Sequence, residues 1–102
     1  MFMNLTSTLL EGIVLSNVKE KKDGTYGYEI YMKLKYSLVV SESGIYQALY
    51  ELSNERYINT ESFVMNGRIR KIYTINEKGL DRLYQIRKEW SIFSNCVSEA
   101  LS

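Results

Sequence analysis

The stretch VMNGRIRKIYTINEKG, residues 64–79, decides the fold. Asn66-Gly67 is a strong hairpin signal, because a type I′ turn needs positive φ at both central residues. With a two-residue loop, Val64 faces Ile69, Phe63 faces Arg70, Ser62 faces Lys71 and Ile58 faces Ile75. One sheet face then carries Ile58, Val64, Ile69, Tyr73 and Ile75, and is apolar enough to pack on helices. The other carries Phe63, Met65, Arg68 and Arg70. A one-residue slip would exchange the two faces. The hairpin places three cations, Arg68, Arg70 and Lys71, toward its tip. Charge there does little for stability, but it is well placed to meet an anion beyond the tip.

Working back from the hairpin, the apolar spacing is helical. Leu10, Ile13, Val14 and Val18 fall on one face of a first helix over about residues 6–21, where Thr8 and Glu11 have capping-box spacing. Asp23-Gly24 breaks it. Thr25 is expected to cap a second helix over about 26–37, with Ile30 and Leu34 facing inward and Lys33 and Lys35 outward. Ser41 opens a third helix over about 42–55, with Ile45, Ala48, Leu49 and Leu52 as its buried stripe. Two short helices joined by a turn read as helix-turn-helix, the second being the groove reader.

Working forward, Asn76 caps a last helix that runs to about residue 100, a rod of roughly 36 Å at about 1.5 Å per residue. Leu83, Ile86, Trp90, Phe93, Val97 and Ala100 alternate three and four apart, which is a heptad seam. The rod outruns the core of a small domain, so its distal half needs a second chain to cover it. The expected fold is α+β, mainly α: a winged helix-turn-helix of three helices and a β-hairpin wing over residues 1–75, with a long C-terminal dimerisation helix over 76–102, the two forming one structural unit.

Composition narrows the function. The chain has 102 residues, 45% of them hydrophobic, and a formal net charge of +1. That fits one folded domain and excludes a uniformly basic coat, so any anion contact must be a local patch. There is no His and a single cysteine, Cys96. The commonest general base and the commonest metal ligand are therefore missing, and no internal disulfide can form. No nucleophile–base pair, Gly-rich phosphate loop or carboxylate cluster is present. The expectation is a cytoplasmic protein that is not an enzyme, with no cofactor, no metal and no membrane span.

Several stretches in order resemble the PadR family of bacterial transcriptional regulators, in particular its short members with one C-terminal helix. LLEGIVLSNV resembles the family's first helix and YGYEIYMKL its second-helix start. SESGIYQALYEL is similar to its recognition helix, and NGRIRKIYTINEKG to its wing and following helix start. Trp90 sits where several members keep a tryptophan. Gly44, Gln47, Tyr50, Glu51 and Arg56 depart from the pattern, leaving a less cationic recognition helix. The resemblance implies a dimeric repressor that binds an inverted repeat in double-stranded DNA.

Each candidate residue has a plainer alternative. Arg68, Arg70 and Lys71 suit phosphate, or merely keep an exposed edge soluble. Ser41, Ser43, Tyr46, Gln47 and Tyr50 lie off the buried stripe of the third helix. Gln suits adenine and the hydroxyls suit phosphate, while the alternative is a solvated face. Tyr26 and Tyr28 open the second helix, as phosphate anchors or as packing against the third. Leu83, Ile86, Trp90, Phe93 and Val97 form the expected dimer interface. Trp90 and Phe93 are either interface packing or the walls of a slot for a planar hydrophobic effector. Glu42, Glu51 and the low net charge favour a second function class, a winged-helix protein-interaction module that has lost DNA binding.

Overall fold

The computed structural model describes residues 5–38 and 40–102, with side chains from Ser7 onward. The elements follow in the order α1 (Leu5–Lys19), α2 (Gly27–Leu34), α3 (Glu42–Asn54), β1 (Ile58–Met65), β2 (Arg68–Ile75) and α4 (Glu77–Leu101). This is the expected winged helix followed by a long terminal helix. The core is contributed by every element: Val14, Leu15 and Val18 from α1, Ile30 and Leu34 from α2, and Ile45, Leu49 and Leu52 from α3, with Ile58, Tyr73, Leu83 and Ile86 closing it.

The hairpin register is the one expected, from Ile58 opposite Ile75 to Met65 opposite Arg68. Asn66 and Gly67 take φ of 52° and 75°, as a type I′ turn requires. The apolar face is used only at its base. Ile58 and Tyr73 are buried, but Val64 and Ile69 are 72% and 74% exposed. The eight-residue strands extend past the helical layer, so Val64 and Ile69 near the tip stay open to solvent.

Two capping expectations are corrected. Thr8 lies inside α1, and Glu11 reaches out to Arg82 instead of back to a helix start. Thr25 does not cap α2. It is buried and pairs with Tyr73 as an isolated bridge, so β2 has backbone partners on both sides. Tyr26 takes the cap position, its N–H donating to Glu29 Oε1 at 3.4 Å. Helix α2 also stops at Leu34, three residues before the expected end.

The other caps form as read. Ser41 Oγ accepts the Gly44 N–H at 2.9 Å, and Asn76 Oδ1 accepts the Gly79 N–H at 2.9 Å. After α3 the Arg56 and Tyr57 N–H groups return to Ser53 and Leu52 carbonyls, a Schellman closure. Arg56 pays for it with φ of 63°, a conformation more natural to glycine.

Helix α4 divides the heptad seam in two. Leu83 and Ile86 are 3% and 4% exposed. They are core residues of this chain, which corrects their placement at a dimer interface. Gly12 makes this possible, since a Cβ there would stand 2.6 Å from Ile86 Cγ2. The α1–α4 contact is closed at its rim by the bidentate Glu11–Arg82 pair, 2.9 Å at its shortest. Beyond Ile86 the seam is uncovered: Trp90 is 42% exposed and Val97 37%, with Phe93 half-buried. The projecting helix stretches the molecule to 55 × 29 × 22 Å.

This division predicts unequal costs along one seam. Ile86→Ala should lower the stability of the folded chain by about 2–5 kcal/mol, the usual range for emptying a buried aliphatic site. Urea unfolding at several protein concentrations measures it. A loss independent of concentration places Ile86 in the core of the single chain, and a loss that vanishes on dilution would place it between chains.

Candidate nucleic-acid interface

Helix α3 has two unlike flanks. On the wing side lies a trough of about 620 Å³, with Tyr46, Tyr50, Ser53 and Asn54 of α3 on one wall and Thr60, Ile69, Arg70 and Lys71 of the wing on the other. Tyr26, Gly27 and Tyr28 line it from the start of α2, and Tyr73 from β2. On the other flank a second hollow of about 550 Å³ opens toward α1 and α4, with Glu11, Glu51, Glu55 and Arg82 among its lining. Among the described residues, no carboxylate lines the trough and three line the hollow. Helix α3 therefore turns its carboxylate-free flank toward the wing.

The trough is held rigidly at its base. Tyr73 exchanges both backbone hydrogen bonds with Thr25, at 2.8 and 3.0 Å, while pairing Thr60 on the opposite strand. Ser53 Oγ and Thr60 Oγ1 meet at 2.9 Å, tying the end of α3 to β1. The Tyr46 ring lies on Gly27, where any Cβ would collide with it. Burial first, and the Glu42 carboxylate next, push the Tyr46 hydroxyl above its ordinary value, so it stays protonated and able to donate. The buried Tyr73 hydroxyl is pushed up for the same first reason.

The candidate residues separate by role. Tyr46, Gln47 and Tyr50 are exposed on the outer face of α3, with Ser43 one turn earlier. Gln47 Nε2 donates to Glu51 Oε1 at 3.1 Å, and both residues line the acidic hollow and not the trough. Ser41 spends its oxygen on the helix cap. Of the two tyrosines at the start of α2, Tyr26 is half-buried with its ring edge-on to Phe63 at 6.3 Å, whereas Tyr28 is 52% exposed. Arg68, Arg70 and Lys71 are all exposed, and among the described residues none of them is in an ion pair.

Sequence reasoning missed Ser53, Asn54 and Thr60 as trough residues. Asn54 was within reach of it, being seven residues beyond Gln47 and four beyond Tyr50 on the same helical face. Lys71 lies on the face of the hairpin opposite to that of Arg68 and Arg70. The register is right, and the face it selects is the one that lines the trough with Ile69 and Tyr73.

The distal part of α4 forms a second feature. Trp90 and Phe93 stack on each other, centroids 6.0 Å apart and planes 27° from parallel. Cys96 is exposed nearby. No described helix is long and apolar enough to cross a membrane, and no described group of His, Cys, Asp and Glu could hold a metal ion.

Known proteins share this architecture. The sequence model of the transcriptional regulator PadR-like family matches residues 14–85. A PadR-like transcriptional regulator of Bacillus cereus is 30% identical, with a TM-score of 0.79 over 98% of each chain. A Streptococcus mutans protein of solved structure is 28% identical, with a TM-score of 0.81 over 99% of this chain and 93% of that one. A transcriptional regulator of Clostridium thermocellum shares the fold at a TM-score of 0.82 and 23% identity, over 98% of this chain and 100% of that one. No curated protein matches. The matched span runs from the core of α1 through the wing into α4, and on that ground the chain belongs to the PadR-like family of transcriptional regulators: a DNA-binding protein, not an enzyme.

Proposed function

We propose that the chain is a repressor that binds an inverted-repeat operator as a homodimer, with the outer face of α3 in the major groove and the wing beside it. The carrying observation is the segregation of charge across α3, which puts Arg70 and Lys71 on the flank away from Glu11, Glu51 and Glu55. Ser43, Gln47 and Tyr50 are exposed residues of α3 suited to base edges, Gln47 from the side of the acidic hollow. Tyr26 and Ser41 support the interface through packing and capping more than by direct contact.

The dimer reading rests on the uncovered distal seam. Trp90, Phe93 and Val97 share one face of α4 beyond the last core residue. A second copy of the same helix has the complementary apolar stripe and would cover it. A two-fold pairing would also hold two recognition helices for two half-sites. The stacked Trp90–Phe93 pair supports a further element, release from DNA by a planar hydrophobic effector lodged between paired helices. Such an effector works only by binding one arrangement of the dimer better than the other.

For the DNA contacts, Arg68→Ala combined with Arg70→Ala should weaken binding to all sequences alike. Two lost phosphate contacts per protomer should reduce the slope of log K against log salt by about 1.8 for each protomer engaged, about 3.6 for the dimer. Fluorescence anisotropy at four salt concentrations measures it. An unchanged slope would remove the wing tip from the interface. Absence of any binding by the unmodified chain at low salt would favour the winged-helix interaction module.

For the dimer, Val97→Lys should yield monomer in sedimentation velocity without loss of helix content, because Val97 takes no part in the chain's own core. Planar dyes that quench Trp90 emission in the unmodified dimer should then quench it no more than they quench free tryptophan. A Val97→Lys dimer would place the interface elsewhere. Dye binding that survives in the monomer would place any effector site within one chain.

A further inference from the structure

We infer that Glu51 is a specificity-determining residue of the DNA-binding surface: it holds the Gln47 amide so that one base position in each half-site accepts adenine and rejects guanine. The inference rests on the DNA-binding reading above. It gives a part in that reading to an acid whose charge, taken by itself, argues against DNA.

Gln47 and Glu51 stand one turn apart, both exposed, on the edge of α3 that borders the acidic hollow. The described lining of that hollow has one cation, Arg82, and Glu11 holds it in a bidentate pair. Glu51 is in no ion pair among the described residues, so no cation neutralises its charge locally. What its carboxylate meets is Gln47 Nε2, at 3.1 Å.

The chemistry of that contact leaves the amide one way to face. An ionised carboxylate only accepts, so it takes the NH2 end of the glutamine and never the carbonyl end. One Nε2 hydrogen is spent on Glu51. The second hydrogen and Oε1 remain, a donor and an acceptor side by side. Adenine presents their complement in the major groove, with its N6 amine and its N7. Guanine presents two acceptors, O6 and N7. Its O6 would meet the Oε1 lone pairs, with the Glu51 charge one hydrogen bond away. Cytosine, which carries an N4 amine, fits better than thymine, which carries an O4 acceptor. An unrestrained glutamine would turn its amide over and donate to guanine, and Glu51 opposes that turn.

The test selects duplexes from a random-sequence library with the full chain and with two variants, Gln47→Ala and Glu51→Ala. Both positions are exposed on a helix, where alanine is the best helix former, so the fold is kept. In the unmodified chain one position per half-site should favour adenine over guanine by about tenfold or more. Gln47→Ala should erase the preference at that position alone. Glu51→Ala should bring guanine there to within about threefold of adenine, the amide being free to turn, and leave the other positions as they were. A full set of preferences surviving in Gln47→Ala would overturn the inference, as would undiminished rejection of guanine in Glu51→Ala. So would a Glu51→Ala chain that gains affinity for every sequence alike with no change in preference, which is simple relief of repulsion from phosphate. Failure of the unmodified chain to select any duplex would bring down the DNA reading itself, and this inference with it.

Discussion

Tyr73 is the residue on which the arrangement of this molecule depends. Its backbone is bonded on one side to Thr25, just before α2, and on the other it pairs with Thr60 of β1. Its side chain is 7% exposed and belongs to the same core as Leu15, Ile45 and Ile58. An isolated two-stranded hairpin is marginal in water. Here the Thr25 bridge gives β2 a partner on each side, and the ring anchors it to the helical layer. The start of α2 and the base of the wing are thus set against each other by one residue, and α3 is tied to both through Ser53–Thr60 and Tyr46–Gly27. The shape of the surface between α3 and the wing follows from that junction more than from any residue on it.

Charge placement completes the functional asymmetry. A net charge of +1 gives no long-range attraction to nucleic acid worth the name. What the fold does is sort the charges. Glu11 is taken up by Arg82 at the α1–α4 rim, and Glu51 is turned toward that side while holding Gln47. Arg70 and Lys71 are left lining a trough whose described lining has no carboxylate. A nearly neutral chain can in this way present a locally cationic face, with tyrosine hydroxyls supplying donors that add no charge.

Much of this was legible in the sequence, because the signals were local. Asn66-Gly67 fixed the hairpin register through turn geometry, and the stripes Ile45–Leu49–Leu52 and Val14–Val18 fixed two helix faces through period alone. Ser41 and Asn76 were readable as caps because each is a short acceptor side chain directly before an apolar repeat. The failures share one cause, which is that they depend on how far another element extends. Ile69 alternates with Arg68 and Arg70 and stands opposite Val64, but nothing local tells how tall the helical layer beside them is. Leu83 and Ile86 have the same spacing as Trp90 and Val97, and a heptad cannot say whether its partner is α1 of the same chain or α4 of another. Thr25 looked like a cap because a single bridging residue has no strand pattern to read.

The most direct test of a rigid trough held at Tyr73 and turned toward DNA is amide hydrogen–deuterium exchange of the full chain, with and without a duplex that it selects. The structure predicts slow exchange at Thr25 and Tyr73 in the free protein, since both N–H groups are bonded within the core. Adding the duplex should bring new protection to residues 41–54 and 68–73, and leave the α1–α4 contact around Gly12 and Ile86 unchanged. Fast exchange at Thr25 and Tyr73 in the free protein, or duplex protection confined to α1 and α4, would contradict it.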